Sequence, residues 1–127
     1  MVKTMKKSVG LLMLALVLML AMAASAFANP YNSYNYYFEY NDAYHAHSSG
    51  YIAADATVSG GNVTLTLSGN YFPQVEVDGQ LYSGVYHAAS DTTTLTFPGN
   101  SSAPIELYLN VVAGPHNTWY KLNLVWG

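Results

Sequence analysis

The sequence predicts an all-β chain, folded as a single antiparallel β-sandwich of about eight short strands. Three observations carry that expectation. Apolar side chains recur with a period of two, as where Val63, Leu65 and Leu67 alternate with Thr64, Thr66 and Ser68. Such alternation turns one strand face to a core and the other to water. Glycine-bearing turns, Ser59-Gly60-Gly61-Asn62 and Asp78-Gly79, join runs of this kind at hairpin spacing. Beyond the N-terminal leader no segment has helical periodicity, and no repeat or linker divides the chain.

The leader comes first. Lys3, Lys6 and Lys7 precede an apolar run from Val9 to Ala24, and Ala26-Phe27-Ala28 is a small-residue exit. Residues 1–28 read as a secretory signal peptide cleaved after Ala28, an uncleaved anchor being the competing reading. Taking 28 residues from 127 leaves 99, residues 29–127, enough for one domain with a modest core. Lys121 is then the one basic residue against seven carboxylates, a net charge of −6. That surface repels phosphate backbones, so nucleic acid and anionic membranes are poor partners for it. An exported chain with no cysteine has neither a disulfide framework nor thiolate metal sites. With no apolar segment after the last strand, the expected product is secreted and extracellular, without anchor or membrane span.

The mature chain opens on NPYNSYNYYFEY, where tyrosine and phenylalanine favour an edge-type strand at about Tyr34–Asn41. Asp42 to Tyr51 lacks alternation and contains Ser-Ser-Gly, so it reads as loop with a short 3₁₀ turn near residues 46–51. It carries His45 and His47, a His-x-His pair able to hold zinc or copper given a third ligand, though two solvated histidines are the commoner outcome. A strand at Ile52–Val58 leads through the double-glycine turn to Val63–Leu67. Val75–Val77, Asp78-Gly79 and Leu81–Tyr86 form a second hairpin, and Thr92–Phe97 places Leu95 and Phe97 inward before Pro98-Gly99-Asn100. Leu107, Leu109 and Val111 share one face of the penultimate strand. Ala113-Gly114-Pro115 breaks it, since proline lacks an amide proton and glycine tolerates unusual backbone angles. Tyr120, Leu122, Leu124 and Trp126 share one face of the last strand.

His116 enters that last strand four residues before Tyr120, so both side chains point to one face. Their Cα atoms lie about 13 Å apart if fully extended, a gap that two long rings leaning together can narrow. An imidazole, a phenol and the aliphatic wall of Leu107, Leu109 and Val111 make a seat for a flat, apolar metal complex. The residues alone leave a second reading open, in which His116 is an exposed turn histidine. Catalysis has little to stand on: there is no nucleophile elbow, phosphate loop or zincin motif, and the carboxylates are scattered. The chain reads as a non-enzyme.

Three blocks, in order, resemble the NEAT (near-iron transporter) domain, a haem-binding module of Gram-positive bacteria. Gly50-Tyr51-Ile52-Ala53-Ala54-Asp55-Ala56-Thr57-Val58, with Gly61 to Leu67 behind it, is similar to the family's Tyr-x-x-x-Pro-Ala-x-Val segment and following strand. Thr92–Phe97 resembles a strand of the Thr-Arg-Thr-x-x-Phe kind, without the arginine. Ala103–Trp126 resembles the closing hairpin.

The resemblance implies an immunoglobulin-like sandwich over residues 29–127 and haem (iron protoporphyrin) as cofactor. The family's Tyr-x-x-x-Tyr pair, the first ligating iron and the second supporting it, falls on His116 and Tyr120. His116 is thus the implied iron ligand and Tyr120 its support; an imidazole lacks the phenolate's strong preference for ferric iron. The family's distal turn falls on Ala46, His47 and Ser48 ahead of Tyr51. His47, Ser48 and Tyr51 are therefore the expected distal pocket, with His47 a candidate second metal ligand. The implied function is haem scavenging or relay for iron acquisition, with haemoglobin or other haem-relay proteins as partners. Two alternatives stand beside it. One is a module that binds a host haem protein through Tyr44-His45-Ala46-His47-Ser48 without ligating haem. The other is a tyrosine-rich sandwich that stacks sugars on Tyr31 to Tyr44.

Overall fold

Alternating apolar residues along the chain build two facing sheets. The structure, a computed structural model, describes residues 29–127; the signal peptide expected at residues 1–28 lies outside the described residues. Among them are ten strands: β1 Tyr36–Tyr40, β2 Ala43–Tyr44, β3 Thr57–Ser59, β4 Asn62–Ser68, β5 Gln74–Val77, β6 Gln80–Ser83, β7 Val85–His87, β8 Thr92–Pro98, β9 Ile105–Ala113 and β10 His116–Trp126. One short helix, α1 (Ala46–Ser49), follows β2. A six-stranded sheet in the order β2-β1-β10-β9-β5-β6 packs on a four-stranded sheet in the order β3-β4-β8-β7. All neighbours are antiparallel. This is the immunoglobulin-like sandwich that the sequence leads one to expect. No helix of the described residues is long and apolar enough to cross a membrane.

The period of two sets the core. Tyr36 and Phe38 of β1, Leu122 and Leu124 of β10, Leu107 and Leu109 of β9 and Val75 and Val77 of β5 turn inward from the larger sheet. Val63, Leu65 and Leu67 of β4 meet them with Leu95 and Phe97 of β8 from the smaller one. Thr93 takes a third inward position on β8, and its hydroxyl donates to the Gly69 carbonyl at 2.7 Å, which removes the cost of burying a polar group. The turns follow their residues: Gly60 and Gly61, and Asp78 and Gly79, all have positive φ, as two-residue hairpins of the I′ kind require.

Three departures from the sequence reading have local causes. The strand expected at Ile52–Val58 begins only at Thr57, with Ile52 making an isolated bridge to Leu67. Between them the Asn35 side chain takes both backbone groups of Ala56, accepting from its N–H at 2.8 Å and donating to its carbonyl at 2.9 Å. A side-chain amide there replaces the ladder. The run Leu81–Tyr86 divides at Gly84, so that β6 belongs to the larger sheet and β7 to the smaller. A Cβ at Gly84 would stand 2.3 Å from the Phe72 carbonyl oxygen, so only glycine lets the chain cross there. Finally, the turn near residues 46–51 is α-helical rather than 3₁₀. Ser49 and Gly50 donate to the carbonyls of His45 and Ala46, four residues back, and only the exit through Tyr51 and Ile52 tightens to three-residue spacing.

Candidate functional site

The last hairpin supplies one side of a cleft. β9 and β10 pair from His116↔Ala113 to Leu124↔Ile105, closed by Gly114 and Pro115, with Gly114 at φ +60°. Positive φ followed by the ring-fixed negative φ of proline fits a tight turn with glycine first. Register therefore fixes which side chains share the inner face. His116 and Tyr120 do, and both rings lean along the strand until the His116 Nε2 atom lies 3.2 Å from the Tyr120 hydroxyl. The ring planes are 27° apart with centroids at 6.3 Å.

A lip built on α1 supplies the other side. His45, in extended conformation, caps the helix: its Nδ1 accepts from the Ser48 N–H at 3.3 Å and lies 2.6 Å from the Ser48 hydroxyl. This satisfies one of the otherwise orphaned amides of the first turn. Burial lowers the proton affinity of the His45 ring, and the neighbouring His47 lowers it further. Ser49 ties the helix down. Its buried hydroxyl accepts from the Phe38 N–H at 3.0 Å, while the His45 N–H donates to the Phe38 carbonyl at 2.9 Å. Tyr40 stands between the two sides, its ring 5.4 Å from that of His45 and 6.4 Å from that of Tyr120.

The cleft between them holds about 550 Å³, counting the part open to solvent. His45, His47, Ser48 and Tyr51 line the lip side; Phe72 forms the floor; Leu109, Val111, Ala113, His116, Tyr120 and Leu122 line the hairpin side. The structure thus brings together His116, Tyr120, His47, Ser48, Tyr51, Leu109 and Val111. Leu107 does not reach the cleft. It lies in the closed core opposite its register partner Leu122, and at that position it is β10, through Leu122, that borders the slot. Leu122 and Ala113 complete the wall instead. Sequence reasoning also missed Phe72 and the part played by His45. Phe72 sits among residues 69–73, which form no strand, and its one sequence signal is an aromatic pair before a proline.

Chemically, the site is an apolar slot with imidazoles at both rims and no carboxylate in its lining. Among the described residues no group of three or more histidines and carboxylates is placed to hold a bare metal ion, so the His45–His47 pair lacks the third ligand that zinc or copper needs. The tyrosines of the N-terminal lead-in stack on each other. Tyr31 and Tyr44 lie nearly parallel with centroids 4.0 Å apart, and Tyr37 packs edge-on against both. One face of each of the first two is therefore covered.

No protein-family profile matches the chain, and no curated protein matches it in sequence. Among solved structures, the NEAT5 domain of IsdX2, a B. anthracis haemophore in complex with haem, superposes with a TM-score of 0.56 at 16% identity. The match covers 73% of this chain and 91% of that one. The fold is NEAT-like. At that identity the likeness extends to the fold and no further, so the function rests on what the cleft itself contains.

Proposed function

We propose that the mature chain is an exported haem-binding protein that scavenges or relays haem for iron acquisition without converting it chemically. The observation that carries this reading is the His116–Tyr120 pair facing the lip histidines across an apolar slot. The signal-peptide pattern at residues 1–28 supports export, and the NEAT-like fold of a haemophore domain supports the choice of ligand.

The residues present fit the group. Haem is a flat apolar macrocycle whose iron takes nitrogen ligands, and the cleft offers aliphatic and aromatic walls with imidazole nitrogens at its rims. Leu109, Val111, Leu122 and Phe72 would hold the macrocycle. Each Å² of apolar surface that these walls take from water contributes ~25 cal/mol, before the cost of association. His116 would decide which metal centre stays. One of its ring nitrogens is engaged by the Tyr120 hydroxyl, which leaves the other for a metal. A ligating histidine whose second nitrogen meets a partner is fixed in tautomer and orientation, and its basicity is tuned by that partner. Tyr120 is thus a positioning residue that acts through His116.

Titration of the purified mature chain with haemin tests the proposal. A Soret band distinct from that of free haemin is expected, lost in His116→Ala and weakened in Tyr120→Phe. A wild-type spectrum identical to free haemin at micromolar concentrations would remove the reading.

A further inference from the structure

The two lip histidines stand two residues apart and line the same cleft, yet their surroundings differ. The Ser48 amide can only donate, so the His45 Nδ1 that receives it carries a lone pair. The Ser48 hydroxyl, 2.6 Å from the same nitrogen, is then a second donor to it. A neutral imidazole with Nδ1 as acceptor has its proton on Nε2. His45 therefore offers the cleft an N–H and no free lone pair. Its ring is held by the cap on one side and by contact with Tyr40 on the other. His47 takes no part in the cap. Its ring stands edge-on to Tyr51 at 5.7 Å and to His45 at 6.2 Å, and it lines the same cleft as His116.

We infer that the lip histidines divide the work: His47 supplies a second nitrogen ligand across the cleft from His116, and His45 serves as a fixed hydrogen-bond donor. This rests on the haem-binding reading and adds to it the coordination state and the assignment of each ring. Ligation by His45 would require it to surrender either the Nε2 proton or the cap that starts α1. Ligation by His47 disturbs no capping bond. The donor at His45 suits an electronegative group at the rim, such as a carboxylate of the porphyrin edge.

Two measurements test the division. In the apo-protein, long-range ¹⁵N–¹H correlation should find the His45 proton on Nε2; a proton on Nδ1 overturns the assignment. In the haemin-loaded protein, electron paramagnetic resonance should give a low-spin signal, converted to high-spin in His47→Ala. His45→Asn keeps a side chain well suited to capping and replaces the ring that carries Nε2–H to the rim by a shorter amide, so the signal should stay low-spin while affinity falls about tenfold, the lower end of the range for losing a supporting hydrogen bond at a metal site. A high-spin wild type that binds haemin normally overturns the inference and leaves the haem reading standing. So does a low-spin signal indifferent to His47→Ala. Conversion to high spin in His45→Asn, with the α1 amide resonances intact, would transfer the ligand role to His45. Absence of any Soret shift in the wild type removes both readings together.

Discussion

The two sides of the cleft are made by different means. The hairpin side consists of paired strands whose register runs unbroken from His116↔Ala113 to Leu124↔Ile105. Its lining residues Leu109 and Leu122 are also core residues. The lip side is one helical turn of four residues, far too short to persist on its own. It exists because His45 caps it and Ser49 bolts it to β1. The hairpin is held by burial, which many residues share. The lip is held by a few hydrogen bonds, each depending on one side chain. A binding cleft with one stiff wall and one lightly fastened wall can admit a rigid, flat ligand by moving only the second.

Substitutions that separate burial from capping would sharpen or break this contrast. The largest effect is expected on the hairpin side. Leu122→Ala empties a site 1% exposed and should cost about 2–5 kcal/mol, read as a lower urea midpoint with both walls lost in one transition. Next comes Ser49→Ala, which removes the acceptor for the buried Phe38 N–H and should cost about 1–3 kcal/mol. Its signature should be local: faster amide exchange in α1 ahead of that in β9 and β10. If exchange rises equally on both sides, the lip is not an independent unit and the contrast fails. His45→Ala should cost about 1 kcal/mol through the lost cap, with His45→Asn recovering most of it. The smallest effect on stability belongs to His116→Ala. The side chain is exposed and, among the described residues, bonds only to Tyr120, so the urea midpoint should not move measurably, although the Soret band should disappear. A destabilised His116→Ala would mean that the ring serves the hairpin turn rather than a ligand.

The two sides also differ in how far they could be read in advance. On the hairpin side, alternation alone places Leu109, Val111, Tyr120 and Leu122 on one face, and a spacing of four brings His116 to the same face as Tyr120. Even there the depth of the slot was not legible. Leu107 obeys the same alternation as Leu109, and only the packing of the second sheet decides that one is sealed in the core while the other borders the cleft. On the lip side, His45 and His47 read as an equivalent pair. Their difference arises from the cap, a contact between a side chain and an amide three residues on that no periodicity reports. Phe72 was invisible for another reason. It comes from a segment without alternation, and it reaches the floor because Gly84 and Thr93 let neighbouring backbone pass close by.

By itself, then, the amino-acid order settled the β class, the hairpins with their glycine turns, the inward residues of each strand and the pairing of His116 with Tyr120. These are properties of a two-residue repeat and of turn chemistry, both local in sequence. Tertiary structure alone decided where the chain changes sheets, how far the slot penetrates, and which imidazole of the lip caps the helix. Those outcomes depend on atoms from distant segments meeting at ångström separations, and no local pattern encodes such meetings.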